Sequence, residues 1–265
     1  MRLTWSTDVH LNFLSAAAVD RFAAALSAGA PDAVVLTGDI SEAPALRGHL
    51  EQLQRRVECP IYFVLGNHDF YRGSISDVRA TAQALTQSTD GPFWLPDVGV
   101  LALSESTALV GVDGWGDARA GDYANTPIRL NDFLLIEDLA GLSHANVVAR
   151  VGAIADADAA LLRPRLQDAC ARNDRVIVAT HVPPFRDACV HEGKVSDDDW
   201  LPWFCCVAVG DVLASVARAH PQCEITVLCG HTHSSDKATV LPNLTVHTGG
   251  ADYGSPAVAE TFDFD

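Results

Sequence analysis

Short strand-like runs alternate with stretches of helical spacing through the first ninety or so residues of the chain. Leu3 to Ser6, Ala33 to Thr37 and Ile61 to Leu65 read as strands of four or five residues. Between them, Ala16 to Ala28 and Ala45 to Val57 place apolar side chains every three or four positions, and Ile75, Val78, Ala82 and Leu85 continue that spacing in a third segment. Strand and helix in turn predict βαβ units, hence a largely parallel sheet with helices covering it.

Near residue 100 the pattern changes. Val100 to Val112 reads as two strands joined by a tight turn, an antiparallel pair that begins a second sheet. A helical region follows from Ala145 to Ala171, with Gly152 and Pro164 expected to interrupt it. Further strands are predicted at Arg175 to Ala179, Glu224 to Cys229 and Leu244 to Thr248. Val182 to Cys206 shows little regular pattern, and loops of that length in compact chains are commonly functional. Its Trp200, Trp203 and Phe204 are expected to anchor it, and its His191 to face solvent. No repeat, low-complexity tract or flexible linker divides the sequence, so one domain over residues 1–265 is expected.

The polar residues that interrupt this pattern gather where strands end. The first strand runs out into T-D-V-H, presenting Asp8 and His10 two positions apart and so on one side of an extended segment. The second ends in T-G-D with Asp39, and the third in G-N-H-D with Asn67, His68 and Asp69. Ala179 is followed by T-H, giving His181, and Cys229 by G-H-T-H, giving His231 and His233. Singly, each has a bland explanation: a Gly-Asp pair makes turns, and a lone histidine is more often a hydrogen-bonded structural residue. Five strand exits with carboxylate, amide and imidazole side chains, and strand interiors without them, point instead to one shared site. In open α/β sheets ligands bind at that carboxyl edge. Carboxylates, imidazoles and an amide carbonyl form a mixed oxygen and nitrogen donor set suited to Mn, Fe, Zn or Co rather than to calcium alone. Seven donors exceed one tetrahedral site and serve two cations if one carboxylate bridges.

Charge and composition narrow the possible partners. The chain holds 18 Lys and Arg against 34 Asp and Glu, a formal net charge of −16, which disfavours general nucleic-acid or anionic-membrane binding. Seven irregularly spaced cysteines read as reduced thiols. The sequence starts without a signal-peptide pattern and has no apolar run of the roughly 20 residues that span a bilayer, so a cytoplasmic protein is expected.

In their order and spacing, D-x-H, G-D, G-N-H-D, H and G-H-x-H resemble the calcineurin-like metallophosphoesterase superfamily, and the motifs run from Asp8 to His233. The resemblance implies an α/β fold, a four-layer α/β/β/α sandwich with two mixed β-sheets and metals at the strand ends between them. It assigns Asp8, His10, Asp39 and His233 to one divalent ion, and Asp39, Asn67, His181 and His231 to the other, Asp39 bridging. His68 is left beside the pair, to stabilise developing charge or protonate the leaving oxygen while a hydroxide held between the metals attacks phosphorus in line. Asp69 is expected either to orient His68 or to cap a turn. Arg72 is a candidate phosphate clamp, and Trp115 and Tyr253 are candidate cleft walls.

The expected substrate is a small-molecule phosphate ester, most simply a phosphodiester. Protein Ser/Thr phosphatases of that superfamily usually read G-D-x-V-D-R-G and G-N-H-E, whereas this chain reads G-D-I-S-E-A and G-N-H-D. A phosphomonoester phosphatase is the nearest alternative. A catalytically silent scaffold of the same fold is a third, disfavoured because every donor is present.

Overall fold

The computed structural model describes residues 1–264, and they form two packed β-sheets with helices outside each. The first sheet has the order β13-β1-β2-β3-β4, where β1 is Arg2–Ser6, β2 Ala33–Thr37, β3 Ile61–Val64, β4 Phe93–Trp94 and β13 Glu260–Asp263. Strands β1 to β4 run parallel and β13 pairs antiparallel with β1. The second sheet has the order β11-β12-β10-β7-β6-β5, with β5 at Leu101–Ala102, β6 Thr107–Gly111, β7 Arg175–Ala179, β10 Glu224–Cys229, β11 Asp236–Leu241 and β12 Leu244–Thr248. Its four central strands are parallel and its two edge strands antiparallel, so both sheets are mixed.

Helices α1 (Ala16–Leu26), α2 (Ala43–Arg56) and α3 (Ile75–Thr86) cover the first sheet. A four-residue helix, α4 (Leu95–Val98), follows β4, and another, α5 (Asp132–Leu135), lies near the site; α6 (His144–Arg172) covers the second sheet. A small hairpin of β8 (Val190–His191) and β9 (Lys194–Val195) leads to α7 (Leu201–Phe204) and then α8 (Val207–Ala219), which packs beside α6. Strand alternation distributes the core between the layers. Val34 and Leu36 face the helices, while Leu3, Trp5, Val35, Ile177 and Leu228 meet between the sheets. The result is the four-layer sandwich expected, with strands apolar on both faces because both faces are covered.

Two expectations are corrected. Gly152 and Pro164 do not interrupt the long helix: α6 runs unbroken for 29 residues. Proline in a helix interior costs about 3 kcal/mol. Val147, Val151, Leu162 and Leu166 are buried along α6, and each such side chain contributes about 1.5–3 kcal/mol, so packing outweighs the break. Val182 to Cys206 is also not structureless, since it holds a 3₁₀ turn, the β8-β9 hairpin and α7. No helix among the described residues is long and apolar enough to cross a membrane.

Candidate metal centre

The parallel strands β1, β2, β3, β7 and β10 deliver their exit loops to one edge of the sandwich. Backbone hydrogen bonds stitch the loops together: Asp8 to the Gly38 carbonyl (3.1 Å), His10 to that of Asp39 (2.9 Å), and Gly230 to that of His181 (2.9 Å). Close approach explains the motif glycines. A Cβ on Gly66 would overlap Asp39, and one on Gly230 would overlap Asp8 and Thr7.

Asp8, His10, Asp39, His231 and His233 all have left-handed backbone, with φ between 42° and 71°. Non-glycine residues rarely adopt that region, and such strain persists where surrounding structure enforces it, typically at functional sites. Tight left-handed turns aim these side chains inward from three loops, the exits of β1, β2 and β10.

Asp8, His10, Asp39 and His233 each offer a ligand atom, and these atoms lie within 4.8 Å of one another; Asp39, His181 and His231 form a second such group. Asn67 joins the second, its Oδ1 lying 3.1 Å from His181 Nε2 and 3.0 Å from His231 Nδ1. Asp39 is common to both groups.

Outer hydrogen bonds set which atoms face inward. His181 Nδ1 donates to the Thr37 carbonyl (2.8 Å), and His231 Nε2 donates to the Trp203 carbonyl (3.2 Å). Asn67 Nδ2 donates to Asp132 (2.8 Å), which turns the amide oxygen toward the centre. His181 Nε2 and His231 Nδ1, only 3.3 Å apart, therefore converge with Asn67 Oδ1 and Asp39 Oδ1. At most one proton, on His181 Nε2, sits among these four acceptors. Asp39 Oδ1 also accepts from the His68 amide outside this cluster, but that single proton can satisfy only one of Asn67 Oδ1 and His231 Nδ1, whereas a divalent cation satisfies all four atoms at once. The residues present fit such an ion.

Electrostatics point the same way. His181 is fully buried, which alone would lower its pKa, but the Asp39 carboxylate overrides burial and pushes it up to about 10. Burial, reinforced by cationic His181, pushes His231 down to about 3, and burial pushes His10 down to about 4. Asp39 is buried yet held well below the usual carboxylate range by His181 and His68. His10 Nδ1 is buried without a protein partner, while its Nε2 lies 3.2 Å from His233 Nε2 and its ring packs against His68 (centroids 4.7 Å apart) and Tyr253 (4.5 Å).

His68 lines the cleft above the seven donors. Its ring stacks on Tyr71 (centroids 4.2 Å, planes 26° apart), its amide donates to Asp39 (2.9 Å), and its Nε2 lies 3.9 Å from Asp39 Oδ2. Asp69 does not reach its ring. Fully buried, Asp69 accepts from the Ile40, Ser41 and Gly66 amides at 2.8 Å each, so it fastens the exit of β2 to that of β3. Asp69→Ala would strand three buried donors and should cost about 3 kcal/mol or more. Urea unfolding reads this as a lower midpoint at unchanged slope, and an unmoved midpoint would assign the loop joint to other contacts.

Several placements differ from the sequence reading. Arg72 does not line the cleft: its exposed guanidinium pairs with Glu42, leaving no clamp for phosphate there. His191 is not a solvated loop residue but part of the cleft wall with Trp200 and Phe204, its Nδ1 donating to the Thr232 carbonyl (2.9 Å). Tyr253 reaches the cleft, while Trp115 is buried against Phe70. Asp132, missed from sequence, accepts from both Asn67 and the Tyr71 hydroxyl (2.7 Å). Asp113, also missed, braces the exit of β3 by accepting from Leu65 N (2.9 Å) and Trp94 Nε1 (2.9 Å). Asp132 sits in no strand-exit motif, so only three-dimensional contact gives it away, whereas Asp113 lies two residues past β6, where the strand-exit pattern offers a signal.

A two-sheet sandwich with this donor set at its strand ends defines a class, the metal-dependent hydrolases of phosphoric esters. The chain belongs to the calcineurin-like phosphoesterase family, whose family model matches residues 1–235. Among solved structures it is similar to a phosphopantetheinyl hydrolase from Mycobacterium tuberculosis (TM-score 0.65, 15% identity, covering 94% of this chain and 89% of that one). It is also similar to a dimetal phosphatase from Danio rerio (TM-score 0.58, 14% identity, covering 94% and 87%). At such identities the likeness speaks to the fold alone. A search of curated proteins found no match to this chain.

Proposed function

We propose that the chain is a single-domain, two-metal phosphodiesterase acting on small molecules. Asp8, His10, Asp39 and His233 would hold one divalent cation and Asp39, Asn67, His181 and His231 the other, with Mn, Fe, Zn and Co all suited to the donors. The observation that carries this reading is the convergence of four acceptor atoms on a point where at most one proton is present. Bound there, two such cations would activate water and polarise phosphoryl oxygens for in-line displacement. The chain's own residues do the rest. Tyr71 and His10 pack against His68, whose ring would protonate a departing alkoxide or stabilise charge developing on the phosphoryl group. Asp132 keeps the Asn67 amide turned inward.

Charge supports a diester over a monoester. No Lys or Arg lines the cleft among the described residues, so the additional charge of a monoester dianion has no side chain to neutralise it. Seven free thiols and the acidic surface are consistent with a cytoplasmic small-molecule enzyme. A hydrolysis panel of mono-, di- and cyclic phosphate esters across the four metals tests the proposal. Preference for diesters is expected; strong preference for monoesters would end the diester assignment.

Cation binding should also release a proton. His181 titrates at about 10 rather than near its ordinary 6.5, so it holds a proton throughout that window, and the proton must leave before Nε2 accepts a cation. In the metal-free chain this raised pKa contributes stability that is full below pH 6.5 and lost as the pH rises through about 10. Apparent metal affinity should accordingly climb about tenfold per pH unit from 7 to 9. His231 and His10, already proton-free there, add nothing to the slope, while His233, buried yet raised by Asp8, steepens the low-pH end. Titration calorimetry in buffers of different ionisation enthalpy measures the release; affinity independent of pH would place the proton elsewhere.

A further inference from the structure

We infer, resting on the phosphoesterase reading above, that the ester taken by this site carries a flat, uncharged organic group, selected by Trp200, Phe204 and Tyr253. The cleft over the donors encloses about 350 Å³, room for a phosphoryl head and an organic group about the size of one ring system. An aromatic face stands at each end of the donor cluster. On the His231 side, Phe204 meets the imidazole edge-on at 5.0 Å and Trp200 lies 5.0 Å from Phe204. On the His10 side, Tyr253 lies 4.5 Å from His10 and 5.0 Å from His233.

Phe204 belongs to the core and Trp200 is half-buried against it, so on that side each shows the cleft only part of its ring, whereas the Tyr253 side is open. Tyr253 is 55% exposed, and Phe13, which packs on it at 5.3 Å, is 56% exposed. Large aromatics left open beside a polar centre offer stacking surface to whatever the centre binds.

The remaining lining sets the polarity of the guest. With no lysine or arginine lining the cleft, and Asp132 the one acidic lining residue outside the seven donors, a second anionic group on the ester would find no permanent positive charge to pair with. The Thr232 hydroxyl is buried, lines the cleft and has no protein partner, so it is free to bond an ester or ring-substituent oxygen.

The test compares phenylphosphonate with methylphosphonate as inhibitors of ester hydrolysis by the full Mn²⁺-loaded chain, because both carry the same head group and differ only in the arm. Phenylphosphonate should inhibit about tenfold more tightly. That advantage should fall to about twofold or less in Tyr253→Ala or Trp200→Ala and survive in Trp200→Phe, which keeps a ring. A carboxylate added at the far end of the phenyl ring should weaken inhibition. Equal inhibition by the two phosphonates, an advantage that outlasts both alanine variants, or tighter binding of the carboxylated probe would each overturn the inference. Turnover of no phosphate ester together with inhibition by neither probe would instead remove the phosphoesterase reading beneath it.

Discussion

Asp39→Asn should empty both cation positions of the proposed site together and lower turnover by at least about 10³-fold. Asp39 alone belongs to both donor groups, so its loss cannot be confined to one ion. Asparagine preserves the shape and one acceptor oxygen but removes the charge that outweighs cation-to-cation repulsion. It also withdraws the field that raises His181, whose pKa should fall back as burial takes over. The fold should tolerate the change, because Asp39 accepts only one backbone hydrogen bond, from His68, and the amide oxygen can still take it. Metal content of the purified variant, measured beside a thermal melt, separates lost cations from lost structure. Two retained equivalents of metal per chain would show that Asp39 does not bridge.

The contrast between Asp39 and Asp69 shows how far the sequence can be read. Both are buried carboxylates just beyond a strand, both follow a glycine closely, and neither differs locally in a way that predicts its task. Asp39 has a side chain facing imidazoles, while Asp69 is consumed by three backbone amides. Strand-exit motifs are legible because continuous apolar runs end abruptly and the polar residues follow at once. Their contact partners are not: Asp132 reaches Asn67 across 65 residues of chain, Asp113 reaches Leu65 across 48, and nothing within G-H-T-H marks the Thr232 hydroxyl. The edge strands β11 and β13 were missed for a related reason: their mostly exposed, polar residues D-K-A-T-V-L and E-T-F-D form strands through pairing with β12 and β1, not through their own pattern.

Pro164 teaches the complementary lesson about local rules. A helix breaker was visible, but the strength of the tertiary packing that overrides it was not, because α6 buries residues against a sheet whose strands come from both sides of it in sequence. The same holds for the segment from Val182 to Cys206. Its aromatic residues were expected to anchor, and Trp203 does so, 2% exposed, yet Trp200 and Phe204 also form a wall of the cleft. Which side of an anchoring aromatic remains open is decided by the neighbouring loops.

His68→Ala should leave both cations bound and still cost about 10²- to 10⁴-fold in kcat. Its imidazole belongs to neither donor group, and its backbone hydrogen bonds, from its amide to Asp39 and from the Tyr71 amide to its carbonyl, survive the substitution. Tyr71, the ring beneath it, keeps its own bond to Asp132, so the cleft floor should hold. The two roles open to His68 then separate by leaving group. If it delivers a proton, esters of p-nitrophenol, which departs readily as an anion, should lose little, while alkyl esters should lose the full factor. If it stabilises charge on the phosphoryl group, both should suffer alike. Comparing kcat for aryl and alkyl diesters in His68→Ala at full metal loading reads the difference directly, and undiminished turnover of both would leave His68 without a part in the reaction.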